Sequence, residues 1–143
     1  MNGYEDKINI FKNIIMKNEG FKNTVYTDST GHLTIGYGHN LKNRPISHNV
    51  ASIMLQEDIL WFLPRLSEAI PFFNELNDAR QAVLVDMAYN LGLQGLLAFK
   101  KMLDSCSKGD YENASNEILK SKYADQVKYR AKENAYIMKI GGL

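Results

Sequence analysis

One short stretch, FKNTVYTDSTGHLTIGYG at residues 21–38, breaks an otherwise helical chain and limits what it can fold into. FKNTVYT is rich in strand-favouring residues, DSTG has turn composition, and HLTIGYG sets Leu33, Ile35 and Tyr37 on one face and Thr34 on the other. A hairpin is expected there, with a short third strand near Gly38 to Asn43.

The flanks have a different period. From Tyr4 to Glu19 the apolar residues Tyr4, Ile8, Phe11 and Ile15 recur at helical spacing, and Gly20 follows where a left-handed C-cap belongs. Glu19 then sits on the last turn of the first helix. After Pro45, Ser47 is a good N-cap, and Val50, Ile53, Met54 and Trp61 give an apolar helical face as far as Pro64. From Phe72 the pattern is helical nearly to the end: NDARQAVLVDMAYNLG closed by Gly92, a segment around Leu96 to Leu103, YENASNEILKS, and a last helix near Gln126 to Ile140 stopped by Gly141 and Gly142. The expected class is α+β in one domain, 1–143. It comprises a small hairpin lobe (about 20–45), a connecting helix (about 47–63) and a larger all-helical lobe (about 72–143, with the N-terminal helix). A cleft between the lobes would be the place for a ligand.

Composition excludes several alternatives. With 143 residues, 45% hydrophobic and 23% charged, the chain can bury a core without staples. Its single Cys106 cannot form an internal disulfide and is expected as a packed or part-exposed thiol; no Cys/His cluster has metal-ligand spacing, so neither metal nor cofactor is expected. Glu5, Asp6, Lys7, Lys12 and Lys17 interrupt the N-terminal stretch before it reaches signal-peptide or membrane-span length. Synthesis in the cytosol, with no stable membrane insertion, is the expectation. The net charge is only +1, but residues 119–143 carry Lys120, Lys122, Lys128, Arg130, Lys132 and Lys139 against Asp125 and Glu133. Such an excess suits either a solvated helix surface or an acidic polymer.

The chemistry gathers around the hairpin. A carboxyl at a helix C-terminus feels the negative end of the helix dipole, and an apolar setting adds desolvation; both favour the protonated acid. Asp28, on a wet turn, should stay ionised. Two carboxyls in unlike environments suit glycoside hydrolysis, one giving a proton to the leaving oxygen and the other acting on water or the sugar cation. The Thr34 hydroxyl can hold that water. Polar residues at a helix end and a turn, with no catalytic role, satisfy the same spacing.

The surrounding residues narrow the choice. E-G-F-x-x-x-x-Y-x-D-x-x-G-x-x-T-I-G-Y-G-H, from Glu19 to His39, resembles the catalytic signature of phage-type lysozymes, the T-even bacteriophage endolysin family (glycoside hydrolase family 24). AYNLG at 88–92 with Gly95 and Phe99, and KSKYADQVKYRA at 120–131, extend the resemblance over nearly the whole chain. It implies a lysozyme-like fold and an endolysin that cleaves the β-1,4 bond between N-acetylmuramic acid and N-acetylglucosamine with inversion. Glu19 would be the acid, Asp28 the residue acting on water or stabilising positive charge, and Thr34 the hydroxyl positioning that water.

It further implies that Arg130 lies near the acid and pairs with Glu19, and that His39 and Asp58 form a structural pair. Leu41, Tyr89, Asn90, Lys122 and Gln126 match cleft-lining positions that contact sugars or the peptide stem, although Tyr89 also fits a core position. The implied partners are peptidoglycan glycan strands and, for release from the host cytoplasm, a separate membrane pore (a holin); nucleic acid is not a partner, and a monomer is expected. The chain departs from the family in a longer stretch before Glu19, in missing residues ahead of Ser47, and in ending at Leu143. A lytic transglycosylase and a wall-binding module that keeps the fold without the activity are the competing readings.

Overall fold

The computed structural model describes residues 3–143 and divides into two compact units, residues 1–52 and residues 53–143. Among the described residues, seven α-helices and a small three-stranded antiparallel sheet make up an α+β fold of lysozyme type, as the sequence leads one to expect.

In the first unit, α1 (Gly3–Glu19) ends where Gly20 takes φ +68° and its N–H bonds back to the Met16 carbonyl at 3.0 Å. A positive φ is cheap only for glycine, so the chain leaves the helix sharply and enters β1 (Lys22–Thr27) two residues later. Strand β2 (Leu33–Gly36) pairs with β1 in the register Tyr26 to Thr34 and Thr27 to Leu33, with an irregularity between Lys22 and Tyr26. The expected third strand is present but short, β3 (His39–Asn40), pairing Thr34 with Asn40 and Ile35 with His39. Asn40 then closes the exit: its side-chain oxygen accepts from the Lys42 and Asn43 amides. The apolar face of β2 is not the covered one, since Leu33 is 56% exposed while Thr34 is 2% exposed. The pleat turns the threonine inward, where its hydroxyl finds a carbonyl.

The helix expected to end at Pro64 runs on. Helix α2 (His48–Ala69) starts at the predicted cap, with the Val50 amide on Ser47 Oγ at 3.2 Å, and contains Pro64; the boundary between the two units falls within it. A proline inside a helix costs about 3 kcal/mol. Continuing buries Leu66 on the helix and Ile70 just beyond it, each worth roughly 1.5–3 kcal/mol, which offsets that cost. Burial therefore falls on Leu66, with Phe62 and Leu63 half-buried, whereas the expected face of Val50, Ile53, Met54 and Trp61 is exposed. Arg65 lies over the Trp61 ring at 3.8 Å and bonds its carbonyl.

The second unit is helical throughout: a 3-10 turn (Phe73–Glu75), α3 (Asp78–Leu97), α4 (Lys100–Ser107), α5 (Tyr111–Lys120), α6 (Lys122–Val127) and α7 (Tyr129–Ile140). Gly92, expected to close α3, instead kinks it at φ +75° and the helix resumes to Leu97. The final helix of the sequence reading is two, α6 and α7, broken at Lys128 with φ +27°. Leu66, Phe73, Val83, Leu84, Met87, Leu96, Met102, Ile118 and Met138 form the core. Cys106 belongs to it, 3% exposed, with Met102 and Met138 sulfurs at 3.7 and 3.6 Å, and burial pushes its thiol up to about 11. Among the described residues no group of His, Cys, Asp or Glu could hold a metal ion, and no single helix is long and apolar enough to cross a membrane.

Candidate active site

Glu19, Asp28 and Thr34 all belong to the first unit, and local chemistry fixes each of them. Phe21, two residues after Glu19, packs at a tilt against Tyr37, one before Gly38, with ring centroids 5.2 Å apart. That pair draws the end of α1 onto the turn between β2 and β3, and the Glu19 carboxyl comes to rest over Gly38. A Cβ at Gly38 would stand 2.6 Å from Glu19 Oε2 and 2.7 Å from its Cδ, and the residue has φ +69°. Arg44 Nη2 donates to the Gly38 carbonyl at 3.0 Å and holds this turn from the other side.

Gly38→Ala is therefore expected to act on Glu19 more than on folding. The left-handed backbone costs about 1 kcal/mol for a residue with a side chain, but the steric conflict is with the end of a flexible side chain, which swings away. We expect roughly tenfold lower activity and a small drop in melting temperature. Lysis of cell-wall suspensions alongside thermal melts checks this, and full activity in Gly38→Ala would refute the positioning.

At the other end of β2, Asp28 opens the turn between β1 and β2. Its Oδ1 accepts from the His32 amide (2.9 Å), the Thr30 amide (2.9 Å) and the Thr30 hydroxyl (2.8 Å). Led by the His32 N–H and the Thr30 hydroxyl, these donors hold the Asp28 carboxyl below the usual range. The Asp28 carboxyl is held in its ionised form, as expected for a wet turn. Thr34 Oγ1 donates to the His32 carbonyl at 3.0 Å, and that same carbonyl accepts the Asp28 amide at 2.9 Å. One peptide group thus ties Asp28 to Thr34. With its proton given to His32, the threonine oxygen offers lone pairs, which suits accepting a hydrogen from water.

In the second unit Arg130 has the carboxylate partner that its charge requires, and it is Asp86. The Arg130 Nε and Nη2 are given to Asp86 at 2.8 and 2.5 Å, within the same unit. Asn134, 6% exposed, adds a third bond to Asp86 at 2.8 Å and reaches the buried Tyr123 hydroxyl at 3.2 Å. Burial pushes the Asp86 carboxyl up, but the bonds from Arg130 and Asn134 outweigh it, leaving it below the ordinary value. Asp86 went unread in the sequence; a lone carboxylate inside AVLVDMAYN is the signal that could have found it. Asp58 accepts the Tyr89 hydroxyl at 3.4 Å within the second unit, and in the first unit His39 Nε2 is buried without a partner among the described residues.

The remaining candidates are surface residues. Leu41 follows β3 and is 38% exposed; Tyr89 on α3 is 45% exposed, which removes it from the core, and Asn90 beside it is exposed. Lys122 and Gln126 are exposed on α6. Lys122 borders a hollow of about 600 Å³ with Lys100, Lys101 and Lys120 above Phe99 and Met102. Of the C-terminal cations, Lys120, Arg130 and Lys139 are paired, with Glu117, Asp86 and Glu112 respectively.

Comparison with known proteins gives the family. The Phage lysozyme family matches residues 16–133, which include both carboxyls and Thr34. The pre-baseplate central spike protein Gp5 of Enterobacteria phage T4 is 28% identical over 91% of the chain, which spans only 28% of that relative's length. A probable T4-type lysozyme 1 of Dictyostelium discoideum is 22% identical, covering 95% of the chain and 97% of the relative. With most of its length matched, from the end of α1 into α7, the chain belongs to the phage lysozyme family.

Proposed function

We propose that the protein is a lysozyme, a glycoside hydrolase that cleaves the β-1,4 bond between N-acetylmuramic acid and N-acetylglucosamine in peptidoglycan. The observation that carries this is the pair of unlike carboxyls in the first unit: Glu19 at the α1 terminus against Gly38, and Asp28 saturated with donors on one oxygen. Glu19 gives its proton to the leaving glycosidic oxygen. Asp28 takes a proton from the attacking water, which also donates to Thr34, so the water enters opposite the leaving group and the anomeric centre inverts. Leu41, Tyr89, Asn90, Lys122 and Gln126 contact the glycan or its peptide stem, and the protein acts as a monomer. In host lysis it would leave the cytoplasm through a pore made by another protein.

A second role for the same chemistry in this protein, as a wall-cutting module carried on a phage particle, is suggested by the 28%-identical relative, which is named a spike protein. Mass spectrometry of fragments released from purified peptidoglycan tests the reaction, with Glu19→Gln as control. Hydrated reducing-end muramic acid, absent with the control, is the expected result. Fragments one water lighter would make the protein a transglycosylase, and no fragments would leave a wall-binding module. Immunodetection in purified particles separates the two roles.

A further inference from the structure

We propose that His32 is a positioning residue for Asp28, acting through the Thr30 hydroxyl to fix which carboxylate oxygen reacts. The inference rests on the reading of Asp28 as the residue that activates water. His32 Nδ1 lies 2.7 Å from Thr30 Oγ1, and Thr30 Oγ1 lies 2.8 Å from Asp28 Oδ1. An ionised carboxylate only accepts, so the Thr30 hydrogen points to Asp28. The threonine oxygen must then accept from His32, which places a hydrogen on Nδ1 in the neutral ring as well as in the imidazolium.

The direction of this chain has a consequence at Asp28. Oδ1 receives the Thr30 hydroxyl together with two backbone amides, and these three donors occupy one oxygen. Oδ2 is left to take the proton from water. Without His32, the Thr30 hydroxyl is free to turn, and the carboxylate can rotate about its last torsion and present either oxygen. The His32 backbone already links Asp28 to Thr34 through its N–H and carbonyl. Its side chain adds the remaining constraint, on the rotation of the carboxyl. The titratable groups of this turn are Asp28 and His32 themselves, 3.7 Å apart. On the adjoining strand Tyr26 is covered by Lys22, whose Nζ lies 4.2 Å from the ring centre.

Three variants separate positioning from mere filling of space. Thr30→Val removes the hydroxyl and keeps the shape, His32→Phe removes Nδ1–H and keeps the ring, and His32→Asn restores an N–H at the place of Nδ1. Thr30→Val and His32→Phe are expected to lower kcat about fivefold with KM unchanged, and to move the acid limb of the pH profile to higher pH, because the charged carboxylate loses a donor. His32→Asn should recover most of both. In parallel, the Asp28 carboxyl is titrated by carbon-13 NMR, which needs no turnover: its midpoint should rise in Thr30→Val and His32→Phe and return in His32→Asn. A carboxyl titration unchanged in the first two variants overturns the proposal, as does a His32→Asn variant as impaired as His32→Phe. A wild type that releases no fragments from peptidoglycan would instead sink the reading of the reaction, leaving the NMR titration to decide the role of His32.

Discussion

Glu19→Gln is expected to leave a folded protein whose kcat on peptidoglycan is lower by about 10²–10⁴-fold, the range for loss of a positioned general acid. Glutamine keeps the shape and the place over Gly38 but has no proton of suitable acidity for the leaving oxygen. KM should change little, because the side chain adds little to binding the intact glycan. The fold should be indifferent: Glu19 is exposed on the last turn of α1, and that junction is set by Gly20 at φ +68° and by the Phe21–Tyr37 contact, not by the carboxyl. Rates on purified peptidoglycan, with circular dichroism and a thermal melt on the same samples, measure this. A Glu19→Gln variant within tenfold of wild type would remove Glu19 from the acid's role.

The parts of this site that could be read in the sequence are those set by local chemistry. Gly20 and Gly141 take the left-handed caps that their positions predict, at φ +68° and +69°, and Ser47 caps α2. The DSTG turn and the β1–β2 pairing follow from composition and alternation. The misreadings come from energies that local pattern does not contain. Pro64 reads as a stop, but burial of Leu66 and Ile70 carries the chain past it. Gly92 reads as an end, yet its positive φ only bends α3. Gly38 carries no chemistry of its own, and its closeness to Glu19 exists only once Phe21 meets Tyr37. The Arg130–Asp86 pair spans 44 residues between α7 and α3, and a resemblance that supplies roles one residue at a time gives no reason to join them.

That pair carries the largest expected effect on stability. Asp86→Ala is expected to cost about 2–3 kcal/mol at pH 7. Because the side chains of Arg130 and Asp86 are 38% and 35% exposed, the ion pair is screened and contributes only about 1 kcal/mol. Most of the loss comes from Asn134, 6% exposed, whose amide would face the cavity with one partner gone. Asp86→Asn keeps an oxygen for Arg130 and should lose about half as much. The pH dependence separates the charge from the shape. In the folded protein the Asp86 carboxyl lies below its unfolded value, so its stabilisation is fully present above that value, near 4, and disappears as pH falls through the lower folded one. The gap between urea melts of wild type and Asp86→Ala should be widest at neutral pH and narrow by about 1 kcal/mol in acid below about pH 4, leaving the part owed to Asn134. An equal gap at pH 7 and in acid would mean that Asp86 stabilises α3 against α7 by packing, with no share for its charge.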